Sequence, residues 1–282
     1  MAPHRGTDEI EMDMIDRAEP LDSFATTLVA LVRYRTLLQK LVLKDLKLKY
    51  RGSVLGFLWS LVNPLVMMAV YSLAFKYIMG NRTEGFVFLV LLGILAWTFF
   101  ANAAMMSTGS IADSGSLLKS VFFPRAILPI ATVLFNFSQY LLMALVFLPI
   151  MLAIFRVPPS APMLAYPIFL ALQVIFTIGV ALILATGTAF FRDIRHLLEV
   201  ALMVLFWTTP IVYELHQVPE RFRPLALASP LTSYVVAYKD IFFYQRWPDL
   251  AVWTFATAYA IIAFAAGAAL LLKFEDRFAE QT

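Results

Sequence analysis

Residues 41–79 read LVLKDLKLKYRGSVLGFLWSLVNPLVMMAVYSLAFKYIM, and the change of character within this stretch decides the fold. Its first part is dense in charge: Lys44, Asp45, Lys47, Lys49 and Arg51. From Val54 onward it is apolar, interrupted only by Asn63-Pro64 and Lys76. That run exceeds the ~20 residues needed to cross a ~30 Å hydrocarbon core. Basic residues abutting one end of a span hold that end in the cytoplasm. One helix is therefore expected to arrive along the membrane surface, turn at Arg51-Gly52-Ser53, and enter the bilayer.

Toward the amino end, residues 24–51 carry an amphipathic pattern. Arg33, Lys40, Lys44, Lys47 and Arg51 share one helical face, while Leu31, Tyr34, Leu38, Leu41 and Leu48 fall opposite. Such a helix lies in the interface plane with its bases toward lipid phosphates or an acidic partner. Asp45 and Lys49 break the pattern on the apolar side, and their i,i+4 spacing predicts a pair. Residues 1–23 hold Asp8, Glu9, Glu11, Asp13, Asp16, Glu19 and Asp22 and have no apolar core. They are expected to form a disordered cytoplasmic tail rather than a signal peptide.

Toward the carboxyl end, residues 24–282 read as one membrane domain. The chain is 61% hydrophobic and 15% charged, against about half and a quarter in soluble domains. The surplus falls in six expected spans, about 54–79, 86–106, 127–155, 165–190, 198–213 and 250–272, the fifth short for a crossing. With the amino end inside, 15 of the 22 Lys and Arg residues fall on internal segments, so both termini are expected in the cytoplasm. Two internal loops are short: SLLKSVFFPRAILP over 116–129, broken at Pro124, and FFRDIRHLLEV over 190–200. The external segment 214–250 contains apolar pieces at 225–231 and 234–244, punctuated by Pro219, Pro224, Pro230 and Pro248. Pieces that dip back are tolerated only where protein buries them or where they line a cavity.

The missing chemistry narrows the function. No G-x-x-x-x-G-K-[ST] loop is present, so the chain itself is not expected to hydrolyse ATP. Three histidines (His4, His196, His216) and no cysteine give no metal-ligand pattern, so no metal site is expected. No Ser/His/Asp set can be assembled. The polar groups deep in spans are neutral amides, Asn63, Asn102, Asn136, Gln139 and Gln173, which weighs against an ion-coupled transporter. No soluble basic face marks nucleic-acid binding. Aromatics crowd the first two spans, and interfacial belts do not account for Trp59, Trp97, Phe99 and Phe100 in the inner half.

An ordered set of segments then gives a resemblance. KDLKLKYRGSVLGFLWSLVNPL, SLLKSVFFPRAILP, FFRDIRHLLEV, FWTTPIVYELHQVP and ASPLTSYVVAYKDIFF together resemble the membrane subunits of type 2 ABC exporters. The branch they resemble carries O-antigen, capsular polysaccharide or wall teichoic acid. The resemblance runs over residues 24–273 and implies an all-α integral membrane fold. Six transmembrane helices would follow the interface helix, with short external re-entrant helices between spans five and six.

It also implies roles. The interface helix, with Lys44 and Lys47, would touch an ATPase. Phe123, Pro124 and Arg125 would form one coupling element, and Arg192, Asp193 and Arg195 the other. Trp59, Asn63, Trp97, Phe100 and Gln139 would be channel-lining candidates; Pro230, Tyr234 and Tyr238 would belong to the external gate. The expected partners are a second copy of the chain, two copies of a separate ATPase that uses ATP and Mg, membrane lipids, and a polysaccharide linked to undecaprenyl diphosphate. No cofactor is expected on this chain. Export of a drug or lipid, a membrane-embedded glycan-modifying enzyme, and a scaffold for a cytoplasmic complex are the alternatives.

Overall fold

The computed structural model describes residues 34–53, 56, 58–78, 80, 84–114 and 123–280. The acidic tail, the start of the interface helix through residue 33, and residues 116–122 of the first inner loop lie outside the described residues. Among those described there are nine α-helices and no strand. They are α1 (Arg35–Tyr50), α2 (Leu58–Ser72), α3 (Phe86–Gly109), α4 (Ile127–Ile154), α5 (Tyr166–Phe190), α6 (Ile194–Thr208), α7 (Arg223–Ala228), α8 (Pro230–Phe242) and α9 (Leu250–Glu280). A π-helical turn, Leu73–Ile78, extends α2, and a 3-10 turn, Ala161–Ala165, leads into α5. Among the described residues, five stretches are long and apolar enough to cross a membrane: Leu58–Phe75, Phe86–Gly109, Ile127–Ile154, Ala161–Phe190 and Leu250–Phe274.

Helix α3 is the centre of the bundle. Its first twelve residues are apolar on every face, the pattern of a helix surrounded by others. It touches α2, α4, α5, α6 and α8, and Phe88 to Phe100 are all buried. In lipid no hydrophobic force draws helices together, so close packing and interhelical hydrogen bonds must do so. The α5–α9 contact shows how close. A Cβ on Gly179 would lie 2.3 Å from the Ala263 carbonyl carbon, and one on Gly267 would lie 2.4 Å from the Gly179 oxygen.

The end of the bundle that holds Phe123 and the start of α4, the inner end of the expected topology, also gathers α1. Leu38 and Leu41 join one buried cluster with Ile111, Phe123, Ile127, Ala131, Leu182 and Leu271. From there α1 runs along α4, and its far end brings Lys49 to Gln139. The expected Asp45–Lys49 pair does not form. Asp45 lies 3.7 Å from Lys44 instead, because Lys49 is drawn across to a partner on α4.

The fifth expected span takes a different form. Helix α6 begins earlier, at Ile194, and ends at Thr208. Its 15 residues rise about 22 Å, short of a ~30 Å core. The chain breaks at Thr209-Pro210, and Ile211 and Val212 are fully buried as irregular backbone. Gly93 makes room for them: a Cβ there would lie 2.8 Å from the Ile211 oxygen.

Helix α8 then descends into the bundle, packed on α3, α5 and α9. The Tyr238 hydroxyl donates to Gln173 Oε1 at 2.7 Å, and Gln173 Nε2 donates to the Ala96 carbonyl at 2.9 Å. Ala96 is ten residues into α3, about 15 Å along its axis. The Tyr234 hydroxyl donates to the Ala256 carbonyl at 2.9 Å.

Candidate functional site

Among the described residues, two polar sites interrupt this apolar bundle, one toward each end. The inner one is a groove of about 210 Å³ between α1, α2, α3 and α4. Lys49, Trp59, Ser60, Asn63, Thr98, Asn102 and Gln139 line it. Helix α2 contributes three of these from the turn before Pro64. Proline has no N–H to give the Ser60 carbonyl, so this turn lacks one rung of the helix. Trp59, 58% exposed, presents its ring at the rim. Gln139 forms part of the floor and is only 5% exposed.

The Lys49 ammonium donates to Gln139 Oε1, while Gln139 Nε2 is buried without a partner. Lys49 as a whole residue is exposed. The groove walls desolvate its ammonium and lower its pKa from the usual lysine value. Among the described residues, no carboxylate lies within ion-pairing distance of it.

The outer site is built around Lys239 of α8, which is 4% exposed. Its ammonium donates to the carbonyls of Pro210, Ile211 (3.2 Å) and Tyr213 (3.0 Å). Those are the oxygens that the break after α6 leaves without helical partners. All three ammonium protons are thus used. Burial pushes its pKa down to about 7, against the opposing pull of the Glu214 carboxylate. A cavity of about 620 Å³ opens beside it, lined by Glu214, Asp240, Tyr244 and Arg246 among others. Tyr244 donates to Glu214, and Arg246 holds the buried Asp240 at 2.7 Å.

The sequence-predicted residues divide between these places. Trp59, Asn63 and Gln139 come together on the inner groove. Trp97 and Phe100 do not: they are 7% and 3% exposed within the core. Trp97 meets Phe206 edge-on at 5.4 Å, and Phe100 stacks on Phe176 at 5.5 Å. Neighbouring helices cover the faces of α3 that carry them, and the face that opens carries Asn102 and Met106 instead. Tyr234 and Tyr238 are buried anchors whose hydroxyls tie α8 to its neighbours, while Pro230 occupies the first turn of α8.

Arg192, Asp193 and Arg195 are exposed at the α5–α6 corner, and Lys44 and Lys47 are exposed on α1. Phe123 is buried in the inner cluster, with Pro124 and Arg125 partly exposed beside it. Among the described residues, no three metal-ligating side chains gather.

With the geometry in place, comparison with known proteins assigns the family. The model of the ABC-2 type transporter family matches residues 36–243, from α1 through α8. The chain belongs to the ABC-2 type transporter family. Among relatives of this ABC-2 protein, an O-antigen export system permease protein RfbA of Myxococcus xanthus is 33% identical over 255 residues. That alignment covers 89% of this chain and 96% of the relative. An RfbA of Klebsiella pneumoniae is 30% identical over 240 residues, covering 84% and 91%. The polysialic acid transport protein KpsM of Escherichia coli is 23% identical over 203 residues, covering 70% and 77%.

Sequence reasoning missed two lysines in this ABC-2 chain. Lys49 was visible as the charge that spoils the apolar side of α1. Lys239 was visible as a charged pair, Lys239-Asp240, inside an otherwise apolar piece.

Proposed function

We propose that the chain is the channel-forming permease of an ATP-driven exporter of polysaccharide linked to undecaprenyl diphosphate, O-antigen first among the candidates. The observation that carries this reading is identity of 30–33% with O-antigen export permeases along most of the chain. The capsule-type relatives align at 22–23%, which favours O-antigen over capsule as the cargo.

In this reading α6 and residues 209–213 together make a sixth crossing, so both termini are cytoplasmic in the inner membrane. Two copies pair through the apolar faces of α2 and α6, where Leu58, Val66, Val70, Met203, Val204 and Trp207 are exposed. Two copies of a separate ATPase, which supplies the ATP and Mg chemistry, press on α1, on Phe123-Pro124-Arg125 and on Arg192 to Arg195. ATP moves the helices only as far as its affinity differs between the sealed and conducting states. Helix α8 and the break after α6 form the outer gate.

The test is ATPase activity of the permease co-purified with its ATPase in lipid. Stimulation by lipid-linked glycan, and not by lipid carrier alone or by amphiphilic drugs, is the expected result. Stimulation by drugs or by lipid alone moves the chain to a general lipid or drug exporter. Arg125→Ala and Asp193→Ala are expected to lower export of surface glycan at least about tenfold while the subunits still co-purify, since a misplaced coupling contact costs on that order. Unchanged export would remove both coupling elements.

A further inference from the structure

We propose that the inner groove is a phosphate site: Lys49 and the Gln139 amide bind the phosphate that joins glycan to lipid, with Trp59 against the adjoining sugar. This rests on the export reading above and assigns the part of the substrate that the groove recognises.

The hydrogen-bond inventory leads there. Lys49 has three protons to donate and Gln139 accepts one. The buried Gln139 Nε2 has two more and no acceptor. Ser60, Asn63, Asn102 and Thr98 add neutral polar groups, and among the described residues no carboxylate lines the groove. A pocket with a point-charge cation, surplus donors and no anion is complementary to an oxyanion. Leaving a buried donor unmade is costly, so the amide is best explained by an acceptor that arrives from outside.

Position and size agree. Gln139 is twelve residues into α4, about 18 Å from its inner end. An ammonium at membrane depth is expensive unless it faces a cavity, and such groups mark substrate paths. The groove's 210 Å³ is smaller than the ~300–1,000 Å³ that encloses a drug-sized ligand. It has room for a head group and one ring, not for a length of polymer. The exposed Trp59 ring at the rim supplies the apolar face that a sugar's C–H side packs against.

The experiment uses the permease–ATPase complex in phosphatidylcholine nanodiscs. Retention of a polyprenyl-diphosphate disaccharide, of its phosphate-free glycolipid counterpart, and of inorganic pyrophosphate is measured separately. Lys49→Met is expected to weaken binding of the diphosphate lipid by about 10- to 100-fold, the range for losing a charged hydrogen bond. Lys49→Arg restores most of it. Gln139→Glu sets a carboxylate against Lys49, which keeps the groove folded, and loses binding to a similar degree.

Undiminished binding in Lys49→Met and Gln139→Glu overturns the proposal. Equal loss for the phosphate-free glycolipid also does, since the groove would then read sugar. Retention of inorganic pyrophosphate in place of the lipid-linked form makes this a free-phosphate site and overturns the substrate assignment. The export reading fails on a separate result: a strain lacking this chain that keeps its surface glycan, whatever the binding constants.

Discussion

The molecule contains two lysine–glutamine settings, and they are finished to different degrees. In the outer half, Lys239 spends its three protons on three backbone carbonyls, and Gln173 uses its oxygen on Tyr238 and its nitrogen on Ala96. In the inner half, Lys49 has Gln139 as its hydrogen-bond acceptor, and the Gln139 nitrogen has no partner. Residue types match; saturation differs. Ser72, Ser160 and Thr186 also bury a hydroxyl oxygen without a partner, but none of them lines the groove beside a cation as Gln139 does. A polar group kept for a ligand is left with capacity to spare. The outer setting is thus part of the architecture, holding the broken end of α6 against α8, and the inner one is the working surface.

The largest effect that separates them is on stability. Lys239→Met leaves three carbonyls without donors at the break after α6. The loss is expected to be about 2–5 kcal/mol, offset in part by removing a buried charge. Lys49→Met removes a side chain with one hydrogen bond in an open groove and is expected to change stability by less than about 1 kcal/mol. Thermal denaturation in the same detergent compares the two. If Lys49→Met proves as damaging as Lys239→Met, the inner lysine is structural and the contrast collapses.

The glutamines repeat the comparison at smaller scale. Gln173→Leu strands the Tyr238 hydroxyl and removes the second hydrogen bond of the Ala96 carbonyl, which keeps its helical donor, at an expected cost of about 1–2 kcal/mol in a membrane bundle. Gln139→Leu leaves only the Lys49 ammonium to find water, and about 0.5 kcal/mol or less is expected. Urea or denaturing-detergent titration of the two variants reads the difference. The reverse order would mean that the inner groove contributes to the fold as much as the outer network does.

How much of this was legible beforehand follows from what each signal depends on. Span length and apolarity are local, so the helices at 86–109, 127–154 and 250–274 were readable. So was the shortness of the fifth span, because Pro210 stands where a full-length crossing would need helix. Trp59, Asn63 and Gln139 were picked out for being polar or aromatic in an apolar context, and the fold brings them to one groove. The same rule selects Trp97 and Phe100, which lie in the core. The first twelve residues of α3 are apolar all round, and periodicity cannot assign a face to such a stretch. Tyr234 and Tyr238 were readable as members of a special external element. That their hydroxyls turn inward to Ala256 and Gln173 depends on helices far away in sequence. Local spacing makes Lys49 half of an i,i+4 pair, whereas its partner on α4 is ninety residues distant.

The smallest effect concerns pH and bears on the outer setting alone. Burial holds the Lys239 pKa at about 7 with α8 seated, whereas an opened, hydrated Lys239 titrates near 10.4. Between those values the open arrangement binds the extra proton, so raising the pH through this window favours the seated arrangement, by up to about tenfold per unit. Below about 7 both arrangements are protonated and the dependence vanishes. Hydrogen exchange of residues 209–213 and of α8, corrected for the intrinsic effect of pH, is therefore expected to slow from pH 7 to pH 9. Lys239→Met should flatten that trend, and Lys49→Met should leave it in place. The three carbonyl bonds to the charged form pull the other way, since a neutral amine can serve only two of them. A slope of opposite sign would show that those bonds outweigh desolvation and that the latch is held by its charge.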